Sequence, residues 1–159
     1  MKNIITALFA AAFVLPAVAE EKGFTSLFDG KTLKGWDGKK EFWSVQDGAI
    51  QGKTTKEIPT KGNTFIIWKG GTVADFELKF EYRFLTKSGN SGCQYRSEDM
   101  GNNVVKGYQG DFEAGTRFSG INYGEKTGRG ILADRGTKTT LGDGKAKKKV
   151  ERFGDSAEL

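Results

Sequence analysis

NSGCQYR at residues 90–96 and GYQGDFE at residues 107–113 decide the fold, because polar and apolar side chains alternate along both stretches. Successive side chains of a β-strand point to opposite faces, so the pattern predicts two strands. One face of the first strand carries Gln94 and Arg96, and one face of the second carries Gln109, Asp111 and Glu113. If the two faces coincide, amides, carboxylates and a guanidinium converge on one surface. The two stretches therefore predict a binding or catalytic site on a sheet.

The rest of the chain predicts an all-β domain rich in turns, with 23 glycines and few helical periods. Residues 76–84 alternate aromatic or leucine side chains with charged ones, which predicts a strand with one buried face. Asp47-Gly48 predicts a hairpin turn because this pair tolerates positive φ. Residues 65–68 predict a short apolar strand, and residues 137–140 and 147–153 a second hairpin. Only the end of the chain, from Asp155 onward, leaves room for a helix.

Residues 1–19 have the features of a secretory signal: Lys2, an apolar run over residues 4–15, and Ala17-Val18-Ala19 as a cleavage site. The apolar run is too short to span a bilayer, and we expect no membrane span. We therefore expect a secreted or periplasmic protein, cleaved after Ala19, with one domain over residues 20–159. The seven or eight strands that we count are few for a large sandwich, and the sequence ends without a turn residue or a polar tail, so we also expect the domain to be incomplete at its C-terminus.

Two residue types exclude several kinds of site. Histidine is absent, which rules out histidine triads, histidine metal sites and histidine general bases within this chain. The single cysteine, Cys93, excludes an internal disulfide and is predicted to pack as a small core residue. The lysines at positions 145 and 147–149 lack an aromatic stacking platform, so no nucleic-acid partner is predicted. Acid–base chemistry must then fall to carboxylates, lysine, tyrosine or a metal-bound water.

Five short motifs follow one another along the chain: FTSLFDGKTLKGW at residues 24–36, WSVQDG at 43–48, DFELKFEYR at 75–83, NSG at 90–92 with Arg96, and GYQ at 107–109. Together they resemble the 3-keto-disaccharide hydrolase domain family; Tyr123 and Arg129-Gly130 also fall where that family has a tyrosine and a basic residue. The last strands of the family have no counterpart in this sequence. The resemblance implies a concanavalin-like jelly roll of two antiparallel sheets that binds saccharides on its concave sheet.

The resemblance also implies cleavage of glycosides whose sugar carries a ketone at C3. A base removes the acidified proton at C2, the substituent at C1 leaves, and water adds to the enone. This chemistry requires a general base, a group that holds the enolate oxygen and an acid for the leaving oxygen. Carboxylates two residues apart on one strand face lie about 6–7 Å apart, so they can act on different atoms of one sugar.

The candidate residues are assigned to these roles as follows. Glu113 or Asp111 is the base, Arg96 clamps the enolate and hydroxyls, and Tyr123 stacks on the sugar or serves as the acid. The sugar hydroxyls are expected to bind to Asn90, Gln94 and Gln109. A loop at the rim of the site is expected to contain Glu125 and Arg129. The sequence identifies no cofactor, but a cation or bound metal suits the enolate, and Asp111, Glu113 and a carbonyl offer oxygen ligands to Ca²⁺ or another hard divalent cation.

Two other function classes fit the same fold, because fold does not decide function. A non-catalytic carbohydrate-binding module would use Trp36, Trp43 and Trp68 to stack on sugars, and a cell-surface interaction domain would bind protein. At the level of single residues, Arg96 could instead pair with Asp111 across the strands. The saccharide hydrolase is preferred because the predicted polar face carries more charge than a stacking platform requires.

Overall fold

A computed structural model describes residues 22–143 and 147–155, which contain ten strands and no helix. The all-β class predicted from the sequence is therefore confirmed. The predicted signal segment lies outside the described residues, and so do the four C-terminal residues, where the helix considered after Asp155 would fall. The strands are β1 (Trp36–Asp37), β2 (Trp43–Gln46), β3 (Ala49–Gly52), β4 (Ile67–Trp68), β5 (Asn90–Asp99), β6 (Val105–Glu113), β7 (Asn122–Glu125), β8 (Gly130–Ala133), β9 (Thr137–Leu141) and β10 (Lys147–Arg152).

All strand pairs are antiparallel, as expected for a β-sandwich built from hairpins. The main sheet has four strands in the order β5-β6-β7-β8. Three two-stranded ladders accompany it: β1 with β4, β2 with β3, and β9 with β10. Each strand of the main sheet pairs with its neighbour in sequence, so residues on successive hairpins lie side by side on one face.

The opening motif folds into a turn that is held by its own side chains. Asp29 Oδ1 accepts hydrogen bonds from the backbone N–H groups of Lys31 and Thr32 at 2.8 and 2.6 Å. Asp29 Oδ2 accepts a bond from the hydroxyl of Thr32 at 2.6 Å. These bonds, led by the Thr32 hydroxyl, lower the pKa of Asp29 to about 2. The indole of Trp36 closes the loop by donating to the carbonyl of Leu27 at 2.8 Å, so the motif is structural.

The predicted hairpin at Asp47-Gly48 is confirmed between β2 and β3. Both turn residues have positive φ, 50° for Asp47 and 75° for Gly48, as a tight hairpin turn of the primed kind requires. The predicted hairpin near the C-terminus is also confirmed as β9 and β10. In β10, Lys149 of the predicted lysine run pairs with Glu151.

Residues 76–84 do not form the strand that their alternation predicts. Alternation fixes where side chains point, but a strand also needs a partner for its backbone, and among the described residues no segment pairs with this one. The rings of Phe80, Tyr82 and Phe84 instead gather around Phe112 of β6, and Tyr82 stacks on it with ring centroids 4.3 Å apart. Burial is incomplete, because Tyr82 keeps 53% of its surface exposed.

The aromatic residues identify the apolar face of the main sheet. Tyr95 of β5 lies opposite Tyr108 of β6, with ring centroids 5.8 Å apart, and Phe112 follows four residues later on the same face. Cys93 also lies on this face by alternation; it is a free, half-buried thiol whose pKa is raised by burial, in keeping with a packing role. The residues between these positions turn to the opposite face.

Candidate functional site

Strand register brings seven of the nine candidate residues onto one face of the main sheet, here called the polar face. Residues directly opposite each other in an antiparallel pair share a face. Asn90 lies opposite Glu113, Gly92 opposite Asp111, and Gln94 opposite Gln109. On the other side of β6, Gln109 lies opposite Tyr123 and Gly107 opposite Glu125. The polar face therefore carries Asn90, Gln94, Gln109, Asp111, Glu113, Tyr123 and Glu125.

Arg96 is brought to a different place by a β-bulge in β5. Tyr95 pairs with Tyr108 and Glu98 pairs with Lys106. Between these two pairs β5 advances by three residues and β6 by only two, so β5 contains one extra residue. Arg96 lies in the bulge with a φ of 46°, and its guanidinium contacts Asp75 Oδ1 at 2.9 Å. Its side chain remains 58% exposed. The ion pair is thus made with Asp75, not with Asp111 as the cross-strand alternative had it.

The bulge places Ser97 on the polar face instead of Arg96. An added Cβ on Gly107, which would project from the polar face, would meet Ser97 Oγ, so the hydroxyl lies over this glycine. Ser97 Oγ donates to Gln94 Oε1 at 2.9 Å. A bulge inserts one unpaired residue and so exchanges the faces of the residues that follow it.

A row of hydrogen bonds runs across the polar face from Ser97 to Asp111. Gln94 Nε2 donates to Gln109 Oε1 at 2.6 Å, and Gln109 Nε2 donates to Asp111 Oδ1. A carboxylate can only accept, so it fixes the orientation of the Gln109 amide, and this in turn fixes that of Gln94. Space for the row comes from Gly92, because a Cβ there would lie 2.6 Å from Gln109 Cγ and Cδ.

Asp111 is the carboxylate at the end of this row and the one with a raised pKa. Partial burial raises the pKa of Asp111, and the negative charges of Glu125 and Glu113 raise it further. Hydrogen bonds from Gln109 and Asn90 act in the opposite direction and do not cancel the effect. A carboxylate with a raised pKa is a stronger proton acceptor, which suits a general base.

Glu113 is tied to the loop that follows its own strand. Its Oε1 accepts a hydrogen bond from the backbone N–H of Phe118 at 2.7 Å. Its backbone N–H donates to Ser119 Oγ at 3.1 Å. Glu113 therefore belongs to the polar face and also anchors the β6–β7 loop.

The predicted rim loop is not what the structure shows for Glu125. This residue lies in β7 with only 6% of its surface exposed, and its Oε2 accepts a bond from Asn63 Nδ2 at 2.8 Å. Arg129 does lie in a turn, between β7 and β8, where Nη2 donates to the carbonyl of Gly142 at 3.4 Å. Alternation over a longer strand would have placed Glu125 on the polar face together with Tyr123.

Among residues 22–143 and 147–155, no group of three or more cysteine, aspartate or glutamate side chains is arranged to hold a metal ion. Asp111, Glu113 and Glu125 share a face, but Glu113 and Glu125 are each occupied by an N–H donor. We therefore derive no step of the chemistry through the divalent cation considered from the sequence.

The three tryptophans of the binding-module alternative are part-buried and serve the fold. The Trp36 indole binds a backbone carbonyl. The Trp43 ring lies against Gly52, where a Cβ would be 2.8 Å from Cζ3. The Trp68 ring lies still closer to Gly70, where an added Cβ would collide with Cζ2. These contacts leave them poorly suited to form an exposed stacking platform.

Sequence reasoning missed two side chains at this site. Ser97 begins the hydrogen-bonded row, and Asn63 holds Glu125 from 62 residues away. No local pattern marks either of them, because the first depends on a bulge and the second on tertiary packing.

Comparison with known proteins adds independent findings. A family model described as the 3-keto-alpha-glucoside-1,2-lyase-like domain matches residues 23–154. The 3-keto-disaccharide hydrolase of Bacteroides thetaiotaomicron is 30% identical over 107 residues, which is 58% of this chain and 35% of the relative. The chain thus spans about a third of the length of that curated relative. No solved structure shows significant similarity to the chain.

Proposed function

Because the chain belongs to the 3-keto-alpha-glucoside-1,2-lyase-like family, we propose that it cleaves glycosides whose sugar carries a ketone at C3, using the polar face as its active site. The name of the curated relative, 3-keto-disaccharide hydrolase, indicates the substrate class. The observation that carries the proposal is the row of oriented amides that ends at Asp111. The pKa of this carboxylate is raised, and two further carboxylates, Glu113 and Glu125, lie near it.

Asp111 is the proposed general base. The ketone at C3 acidifies the proton on C2, and the Asp111 carboxylate accepts that proton while the electron pair of the C2–H bond forms the enolate. Gln109 and Asn90 hold the carboxylate in place by hydrogen bonds, so its orientation is set before substrate binds.

The enolate then expels the substituent on C1: the C1–O bond breaks and the leaving oxygen takes a proton. We assign that proton to Tyr123, because its phenol is a donor and it lies directly opposite Gln109 on the polar face. Water adds to the resulting enone: its hydroxyl bonds to C1, its remaining proton restores the Tyr123 phenol, and Asp111 returns its proton to C2, which releases the 3-keto sugar.

The amides are the proposed ligands of the ketone oxygen and the sugar hydroxyls. Asn90 gives one N–H donor to Asp111 and Gln94 gives one to Gln109. Each amide keeps a second N–H donor, and a donor aimed at the ketone oxygen becomes stronger as that oxygen gains charge. The enolate role first considered for Arg96 would require its guanidinium to leave Asp75, so the geometry favours Asn90 and Gln94.

Hydrogen exchange at C2 separates the two chemical steps. The full chain is incubated with a 3-keto-glucoside in D₂O, and C2–H exchange and release of the 3-keto sugar are followed by NMR. We expect Asp111→Asn to lose both, and Tyr123→Phe to retain exchange while release slows. Glu81→Gln, an exposed carboxylate outside the site, is the matched control. Full exchange and release in Asp111→Asn would show that the base is another group.

Export is part of the proposal and rests on residues 1–19. Expression of the full gene in a Gram-negative host, with N-terminal sequencing of the periplasmic fraction, should give a mature protein that begins at Glu20. A protein retaining Met1 in the cytoplasm would contradict it.

A further inference from the structure

A polar cavity of about 290 Å³ lies beside the main sheet, and three arginines line it. It is formed where three separate segments meet: the β6–β7 loop, the turn between β8 and β9, and the end of β10. Its lining residues are Thr116, Arg117, Ile121, Asp134, Arg135 and Arg152. With three guanidinium groups and one carboxylate, the lining carries a net charge of +2.

Arg135 is held in a fixed position by the residues around it. Its aliphatic stem packs over Gly120, where an added Cβ would lie 3.1 Å from Arg135 Cδ. Gly120 has a φ of 81°, so a side chain is excluded there on two grounds. Arg135 Nη2 donates to the carbonyl of Thr116 at 3.1 Å. The turn that carries Arg135 is itself closed by Thr137, whose hydroxyl donates to the carbonyl of Asp134 at 2.7 Å.

The guanidinium of Arg135 is incompletely satisfied. Its Nε is buried and has no hydrogen-bond partner among the described residues. The side chain as a whole is half-buried, and a guanidinium partly removed from water is stabilised by each further hydrogen bond or counter-charge that it gains. The Arg135 charge is therefore held at the cavity with a single carbonyl contact, an arrangement that an anion in the cavity would stabilise.

The other two arginines are available to the same anion. The guanidinium of Arg117 lies over the ring of Phe118, 4.7 Å from its centroid, which positions it in the loop. Arg152 lies opposite Thr137 in the ladder of β9 and β10. The ion pairs that form between described residues involve none of the three arginines.

We propose that this arginine cavity binds an oxyanion carrying two negative charges, such as a phosphate or sulfate group. Guanidinium groups bind tetrahedral oxyanions through paired N–H donors, and a net charge of +2 matches a dianion. Ile121, whose carbonyl accepts from Asp111 N at 3.1 Å, connects the cavity to the polar face. The proposal does not depend on the proposed reaction, because binding is measured without turnover.

The test is a titration of the full chain, labelled with ¹⁵N, with inorganic phosphate or inorganic sulfate at constant ionic strength. Chloride serves as the reference anion. We expect saturable shifts of the Arg135 Nε–Hε signal and of the Ile121 amide with both dianions, and none that saturates with chloride. Glucose 6-phosphate is titrated in parallel. If it binds more tightly than inorganic phosphate, the ligand of the cavity is an anionic sugar; if the two affinities are equal, the ligand is the free ion.

Single substitutions establish which arginines bind the anion. Arg117→Gln and Arg152→Gln should each weaken phosphate binding about tenfold, as expected for loss of one charge-assisted contact. Arg83→Gln, which removes an exposed arginine outside the cavity, is the matched control and should leave the affinity unchanged. Arg135→Gln removes a structural contact, so its fold is first checked by circular dichroism. Non-saturable shifts, or an equal loss in Arg83→Gln, would overturn the proposal.

Discussion

Gln109 donates a hydrogen bond to Asp111 from two positions earlier on the same strand, so a strand-face neighbour fixes the orientation of the proposed base. Gln109 is only 7% exposed, and its own acceptor oxygen is occupied by Gln94. The amide therefore has one orientation, and Asp111 is held through it by the neighbouring strand. The first two predictions follow from this relationship.

Gly92→Ala should lower activity without removing any polar group. The new methyl group would collide with Gln109 Cγ and Cδ, and the row that ends at Asp111 would be displaced. We expect kcat/KM for the 3-keto-glucoside to fall on the order of 10- to 100-fold, the usual effect of a small misplacement. Gly110→Ala is the control, because nothing lies within 4 Å of a Cβ there. Equal activity of both variants would show that the row does not orient the base.

Asp111→Asn should make the protein more stable at neutral pH while it loses activity. Because the folded-state pKa of Asp111 is raised above 3.8, the native state binds more protons, and the free energy of unfolding falls as pH rises from about 4 through the folded pKa. The uncharged amide in Asp111→Asn does not titrate, so the variant avoids this fall in the free energy of unfolding. Urea unfolding at pH 4 and pH 7 should show a smaller decrease for the variant than for wild type. Asp47→Asn, in an exposed hairpin turn, should behave like wild type.

The turn of the opening motif should weaken in acid. The pKa of Asp29 is about 2, below its ordinary value of 3.8, so its stabilising bonds are fully present above about pH 4 and are lost as pH falls toward 2. We expect the protection of the Lys31 and Thr32 amides against solvent exchange, relative to the intrinsic rate at each pH, to fall over this range, as measured by hydrogen exchange NMR. Asp29→Ala should remove the pH dependence of this protection. Persistent protection at pH 2 in wild type would contradict the role given to Asp29.

The stacked pair Tyr82 and Phe112 should be energetically coupled. A double-mutant cycle with Tyr82→Ala and Phe112→Ala should give a coupling energy of about 0.5–1.5 kcal/mol in urea unfolding, as for other aromatic pairs. The same cycle with Phe76→Ala in place of Tyr82→Ala serves as the control and should be additive. Coupling as large for Phe76 would show that the segment acts as a whole rather than through the stack.

Polar alternation over residues 107–113 was enough to predict the face that β6 presents, and Asp47-Gly48 was enough to predict a hairpin. Both are local: alternation sets side-chain direction, and turn conformation depends on two residues. The position of Arg96 was beyond such reasoning, because a bulge has no reliable sequence signature. The failure at residues 76–84 has a related cause, since pairing requires a second segment that the alternation itself does not identify.

The bulge at residues 96–97 has a consequence for the comparison of related sequences. Deleting Ser97 would restore continuous alternation and would place the Arg96 guanidinium beside Gln94 where the Ser97 hydroxyl now lies, without any substitution. Homologues that differ by a single gap at this point can thus differ by a full charge on the polar face while every aligned letter matches.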